Sequence, residues 1–142
     1  MEKTPVKIYV NTKIEDGSDQ EIIEFYTNGE FYIKEQASYL IYFEEHDYGK
    51  VKTIVKIQDE EIYIMRSGAV SMKQRFIEDI DTFTHYETQF GQLNLTTNTD
   101  KIIRTANTQR VDGFVVVHYS LQVGENQKHL HTLTIQYKED MQ

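Results

Sequence analysis

The stretch of residues 113–123, GFVVVHYSLQV, decides the fold class of this chain. Its residues of one parity are Val115, Val117, Tyr119, Leu121 and Val123, and those of the other are Val116, His118, Ser120 and Gln122. Successive side chains of a β-strand point to opposite faces, so an apolar period of two indicates a strand with one buried face. The stretch therefore predicts a half-buried strand in an antiparallel sheet.

The same alternation recurs along the chain, as at residues 6–14 and 51–57, and short turn signals such as Glu15-Asp16-Gly17 separate the apolar runs. Short connections make neighbouring strands pair in space. A long meander removes its exposed edges when it closes on itself. Because 142 residues is the size of one domain, residues 1–142 are predicted to form a single all-β domain, an antiparallel meander β-barrel of about 8–10 strands.

Two segments leave alternatives open. Asn28-Gly29 is a strong hairpin dipeptide, yet Phe25, Thr27 and Phe31 keep one parity through it, as in a long strand bent at the glycine. Residues 98–113 are the least regular part of the chain. They are expected to include either a longer loop or a short helical turn.

The last hairpin has a predictable register. A two-residue loop at Glu125-Asn126 would pair Val117 with Thr134, whereas a three-residue loop that includes Gly124 pairs Val117 with Leu133. A slip of one residue inverts the faces of a strand, so the second register is expected. It places Tyr119 opposite His131 and Leu121 opposite His129, with both histidines on the inner face.

Composition excludes several classes of function. The chain has no cysteine, which rules out disulfides, thiolate metal sites and a cysteine nucleophile. Its formal net charge of -8 opposes nucleic-acid binding. The N-terminus lacks an apolar signal region, and the longest apolar run, residues 39–43, is far too short to span a membrane. We expect a cytoplasmic protein without a cofactor.

Four sequence blocks carry a family resemblance. They are Arg66-Ser67-Gly68, the run from His85 to Gly91, Leu95-Thr96-Thr97, and the run from Val117 to Leu121. In this order and spacing the chain resembles the YwiB-like family of small bacterial proteins. The resemblance implies a calycin-like barrel, similar to the lipocalins, and by analogy of fold it implies ligand binding.

The parity of the strands selects a candidate ligand site on the inner face. Its residues are Arg66, Tyr86, Thr88, Thr97, Tyr119 and His131. A guanidinium among hydroxyls and apolar groups is typical of a pocket for a small, partly apolar molecule with an anionic or polar head. The alternatives are a strand-end arginine that caps carbonyls or reaches solvent, and a packed barrel whose hydroxyls bond to one another.

Other readings belong to different classes of function. His129 and His131 form an H-x-H pair that could chelate a metal, but a third ligand is missing, so no metal site is predicted. The same pair with a carboxylate could do acid–base chemistry at the barrel mouth. Aromatic residues on the less apolar parities, Tyr9, Tyr32, Tyr63 and Phe83, instead favour a solid barrel that binds a protein partner.

Overall fold

The computed structural model describes residues 2–107, 109–125 and 127–141. Ten β-strands account for most of them, which confirms the all-β prediction. The strands are β1 (Thr4–Asp16), β2 (Asp19–Lys34), β3 (Ala37–His46), β4 (Gly49–Ile57), β5 (Ile62–Gly68), β6 (Met72–Phe76), β7 (Asp81–Thr88), β8 (Gly91–Ala106), β9 (Asp112–Val123) and β10 (Gln127–Glu139).

The strands form one antiparallel sheet in the order β6-β5-β4-β3-β2-β1-β10-β9-β8-β7. The outermost strands of this order, β6 and β7, meet each other and close the sheet into a nearly complete barrel. Two backbone hydrogen bonds between Ser71 and Glu87, of 3.0 and 2.9 Å, form part of this seam. A third, from the Asp79 N–H to the Thr99 carbonyl at 2.8 Å, lies further along it.

The inward faces of the strands make the core. Alternate residues are buried in β1, β4 and β9, as the period of two in the sequence predicts. The least exposed residues of the core include Phe76, Ile8, Leu40, Ile62, Ile135, Val6, Val51, Val55, Val115 and Val117. Burying apolar surface contributes about 25 cal/mol per Å², so this interior is the main source of the barrel's stability.

The register predicted for the last hairpin is confirmed. Val117 lies opposite Leu133, Tyr119 opposite His131, and Leu121 opposite His129. The strands end at Val123 and Gln127, as a three-residue connection requires. Asn126, which belongs to that predicted loop, lies outside the described residues.

Asn28-Gly29 is a bend within β2 and does not form a hairpin. Gly29 pairs with Val6 of β1 and with Tyr42 of β3, so the strand continues through it. A Cβ placed on Gly29 would lie 2.4 Å from the Ile41 carbonyl oxygen and 2.6 Å from Cδ1 of Ile8. Glycine is therefore required here because the neighbouring backbone approaches too closely for a side chain.

Two other segments differ from the sequence analysis. Residues 98–106 lie in β8, with an irregularity between Thr99 and Lys101, so the expected loop is confined to the residues between β8 and β9, and the described ones form no helical turn. Cross-strand pairing with β9 decides the conformation of residues 98–106. The turn between β2 and β3 has no glycine to mark it: Glu35 and Gln36 adopt positive φ angles of 52° and 69°.

We expect Gly29→Ala to destabilise the barrel by about 1–3 kcal/mol, because the added methyl group would overlap a backbone oxygen and a core side chain. The free energy of unfolding in urea measures this effect. Asn28→Ala, at the exposed neighbouring position, is the control and should change that energy by less than about 0.5 kcal/mol. Equal stability of the two variants would show that β2 can move away from β3 at no cost.

Candidate functional site

The strand order brings one set of strand ends to the same end of the barrel, which we call the mouth. Odd-numbered strands run towards the mouth and even-numbered strands run away from it, because every named strand pair is antiparallel. The end of β3, the end of β5, the end of β9 and the start of β10 therefore lie around it. Polar residues on these strand ends share the barrel interior with apolar neighbours.

A charged cluster forms one wall of the mouth. Arg66 Nη2 lies 3.4 Å from Glu44 Oε2, and Arg66 Nη1 donates to the Tyr86 hydroxyl at 3.3 Å. Thr53 donates to the same Glu44 oxygen at 3.0 Å, and His46 Nε2 lies 3.2 Å from the other one. The Arg66 and Glu44 side chains are only 18% and 14% exposed, so each charge is stabilised mainly by the other.

A second cluster lies on β9 and β10. The Tyr119 hydroxyl is 3.3 Å from His131 Nδ1, and the two rings stack with their centroids 4.9 Å apart. Burial, together with the neighbouring His129, lowers the pKa of His131 from 6.5 to about 4. His131 is therefore a neutral imidazole at physiological pH. The His129 Nε2 lies 3.5 Å from the Asp16 carboxylate at the tip of the first hairpin.

Buried hydroxyl and amide groups continue the polar lining deeper in the barrel. Gln74 donates to Thr97 at 2.9 Å, and both side chains are buried. The hydroxyl of Thr84, a residue 4% exposed, and His131 Nε2 are also buried, but neither has a hydrogen-bond partner among the described residues. An unpartnered buried polar atom costs about 1–3 kcal/mol, so each one asks for an explanation.

The rim of the mouth is apolar. Ile23 and Leu93 share the parity of inward-facing residues, yet each is 48% exposed. Phe25 and Leu121 lie below them, partly buried against the core. Inward-facing apolar side chains that remain in water are what an apolar ligand or partner would cover.

The structure brings the predicted site residues together only in part. Arg66 contacts Tyr86, and Tyr119 contacts His131, whereas Thr97 bonds to Gln74. Thr88 is the last residue of β7, and its hydroxyl bonds to the turn that follows: it donates to the Gly91 carbonyl and accepts from the Phe90 N–H.

Sequence reasoning missed Glu44, the partner of Arg66. Its signal was present, since Leu40, Tyr42 and Glu44 share one parity on β3. Because Glu44-Glu45 lies beside the turn at Asp47, the local sequence pattern favours a carboxylate in solvent. Because β3 continues to His46, Glu44 keeps the inward parity of Tyr42 and is largely buried, whereas Glu45 points outward.

The outward-facing aromatic residues differ in their surroundings. Tyr32 and Tyr39 stack with centroids 4.7 Å apart, and Lys56 lies 5.8 Å from the Tyr39 centroid, so they form a cross-strand ladder within the chain. Phe83 is 81% exposed. A groove of about 1060 Å³ crosses the outer face of the sheet, lined in part by Tyr9 and Tyr26.

Two classes of site are not seen in the described parts of the chain. Across residues 2–107, 109–125 and 127–141, no three His, Asp or Glu side chains are grouped so that they could hold a metal ion. The same residues form no helix that is long and apolar enough to cross a membrane.

The fold and its lining define a small antiparallel β-barrel protein, and the comparisons with known proteins assign its family. Residues 8–135 match the domain of unknown function DUF1934, and the chain belongs to this family. It is 44% identical to the uncharacterized β-barrel protein YwiB of Bacillus subtilis over 96% of this chain and 95% of the relative. The resemblance read from the sequence blocks is thereby confirmed.

A solved structure agrees with the fold. The crystal structure of the YwiB protein from Bacillus subtilis superimposes with a TM-score of 0.88 at 43% identity, covering 98% of this chain and 94% of the other. The finer expectation of a calycin-like, lipocalin-related barrel stays a prediction.

Neutral His131 should make stability depend on pH. Its pKa of about 4 in the folded chain lies below the ordinary 6.5, so between these values the unfolded chain binds more protons. The free energy of unfolding should therefore fall as the pH drops from 6.5 to 4. His131→Gln should make this loss smaller, as measured by urea unfolding at pH 7 and pH 4.5. His118→Gln on the outer face is the control, and equal slopes in both variants would contradict the assignment.

Proposed function

We propose that the barrel is a binding protein for a small, partly apolar molecule whose polar or anionic head enters at the mouth. The observation that carries the proposal is the coincidence of buried, unpartnered polar atoms with an exposed apolar rim at one end of the barrel interior. Ligand pockets combine the same two features: an apolar lining and a few polar groups that fix orientation.

Arg66 supports a head with hydrogen-bond acceptors. Its two contacts, at 3.3 and 3.4 Å, are both long, and a guanidinium has five N–H donors. A ligand carboxylate could use the remaining donors in a bidentate pair. Because Glu44 already balances the charge of Arg66, the gain comes from these hydrogen bonds and not from a free positive charge. Tyr86 and Thr53 hold this arginine–glutamate pair in place from two different strands.

The unpartnered atoms support the same placement of the head. Thr84 Oγ1 can donate and accept, and neutral His131 can do either at Nε2, depending on its tautomer. Each gains a hydrogen bond if a polar group of a ligand reaches it. The ligand would recover the free energy that these buried atoms lose in the empty barrel.

The rim supports an apolar body. Ile23 and Leu93 would be covered by a ligand that extends from the head towards solvent, and Phe25 and Leu121 would contact it below. About 25 cal/mol per Å² of covered apolar surface would stabilise the complex. Medium-chain amphipathic carboxylates have this combination of body and head.

Decanoate is a suitable probe for the mouth, with its affinity measured by titration calorimetry. The double variant Glu44→Gln/Arg66→Met removes the charged pair without leaving a lone buried charge, so it should fold and bind decanoate at least about tenfold more weakly. The matched control is Glu61→Gln/Arg75→Met, which removes an ion pair away from the mouth whose nitrogen–oxygen contacts are 2.5 and 2.9 Å and whose arginine is 54% exposed. This control should bind as the parent chain does.

Three results would count against the ligand proposal. They are no heat of binding with decanoate or decylamine, equal loss of affinity in both double variants, and a crystal structure in which the mouth stays filled by protein side chains. In the last case the buried polar atoms would be explained by packing alone.

A further inference from the structure

The first ten residues of β2, residues 19–28, form a sheet edge. β2 pairs with β3 only from Gly29–Tyr42 to Lys34–Ala37, whereas its pairing with β1 extends to Asp19. The end of β3 turns away after Tyr42 and keeps β4 as its neighbour. Residues 19–28 thus have β1 on one side, and no described strand pairs with them on the other.

The register shows which backbone groups this edge presents. Asp16 and Asp19 flank the two-residue turn at Gly17-Ser18, so they form a hydrogen-bonded pair, and the pairs alternate from there. Odd-numbered residues of β2 therefore bond to β1. The even-numbered residues Gln20, Ile22, Glu24, Tyr26 and Asn28 direct their N–H and C=O groups away from β1, towards the open side.

The side chains of this edge are unusually apolar for an unpaired strand. Ile22 is 55% exposed and Tyr26 is 80% exposed, and both lie on the outer face. Natural proteins protect open edges with prolines, lysines, bulges or short strands. Residues 19–28 contain neither proline nor lysine and run without a bulge in their pairing with β1, so their only protecting features are the three acids Asp19, Glu21 and Glu24.

The negative charge of this edge favours a basic partner strand over a second copy of the chain. Asp19, Glu21 and Glu24 lie on it, with no basic residue among residues 19–28, and Glu45 and Asp47 stand at the nearby end of β3. Pairing of two copies through this edge would bring like charges together, which disfavours a symmetric dimer. A strand that carries lysine or arginine between apolar residues would be attracted instead.

From these features we infer that residues 19–28 of β2 are a docking edge for an extended, basic-apolar peptide segment of a protein partner, which adds to the sheet as a further antiparallel strand. Main-chain hydrogen bonds from the even-numbered residues supply affinity, and Ile22, Glu24 and Tyr26 select apolar, basic and apolar side chains in alternate positions. Ile22, Glu24 and Tyr26 lie on the outer face of β2, whereas Asp19 and Glu21 share the inward parity of Ile23. The inference rests on the unpaired backbone groups of the edge and does not require the ligand proposed for the barrel interior.

The experiment uses the full chain and a synthetic peptide, Thr-Val-Val-Lys-Val-Val-Lys-Thr-Lys, which places valines opposite Ile22 and Tyr26 and lysines opposite the three acids. Binding is followed by calorimetry, and amide hydrogen exchange is followed by NMR. With the peptide, the amides of Ile22, Glu24 and Tyr26 should exchange more slowly. The amides of Ile23 and Phe25, already bonded to β1, should not change.

Two matched controls test the charge and the backbone. A peptide with glutamates in place of the lysines should bind at least about tenfold more weakly. Ile22→Pro removes one outward N–H without removing a bond to β1, and in this variant the peptide should no longer slow amide exchange at Glu24 and Tyr26. Ile22→Thr keeps the N–H, so the peptide should still slow exchange at these amides. If the proline variant fails to fold, the exchange pattern of the parent chain still decides.

Three outcomes would overturn the inference. They are no binding of the lysine peptide, binding that leaves the even-numbered amides unprotected, and protection of those amides that rises with protein concentration in the absence of peptide. The last result would assign the edge to a second copy of the chain.

Discussion

The close approach of backbones at Gly29 is the constraint on which the open end of the barrel depends. A side chain at this position would overlap the Ile41 carbonyl and the Ile8 side chain, so β2 can lie against both neighbours there only as glycine. Beyond it, pairing with β3 ends and β2 continues beside β1 alone. This divergence separates the first half of β2 from the end of β3. It therefore leaves Ile23 exposed at the rim and leaves residues 19–28 as an open strand edge.

The polar groups at the mouth differ in how far hydrogen bonds and ion pairs compensate the free-energy cost of burying them. Glu44 and Arg66 neutralise each other, and the hydroxyls of Thr53 and Tyr86 complete their contacts. Such a pair gains little over an apolar substitute but makes either charge costly to remove alone. The neutral His131 beside Tyr119 lacks a partner at Nε2. The barrel thus holds paired charges and unpartnered neutral groups at the same end, and the unpartnered groups lower its stability.

The sequence could predict which side chains of the candidate site point into the barrel, but not which of them contact one another. Parity placed Arg66, Tyr86 and Tyr119 inside the barrel, because a strand's side chains alternate whatever the strand pairs with. It could not show that Glu44 partners Arg66, since the two residues are joined through the β3–β4–β5 register. Thr88 had the right parity but is the last residue of β7, where its hydroxyl bonds to the backbone of the turn that follows.

The sequence by itself determined the all-β class, the antiparallel meander and the register of the last hairpin, because each depends on local alternation and on which face must be buried. Only the tertiary structure decided whether Asn28-Gly29 turns or bends, since both conformations suit glycine and the choice rests on contacts with β1 and β3. It also decided that residues 98–106 extend β8. Hydrogen bonds to β9 hold these residues in a strand, and the local sequence pattern of residues 98–106 does not predict that pairing.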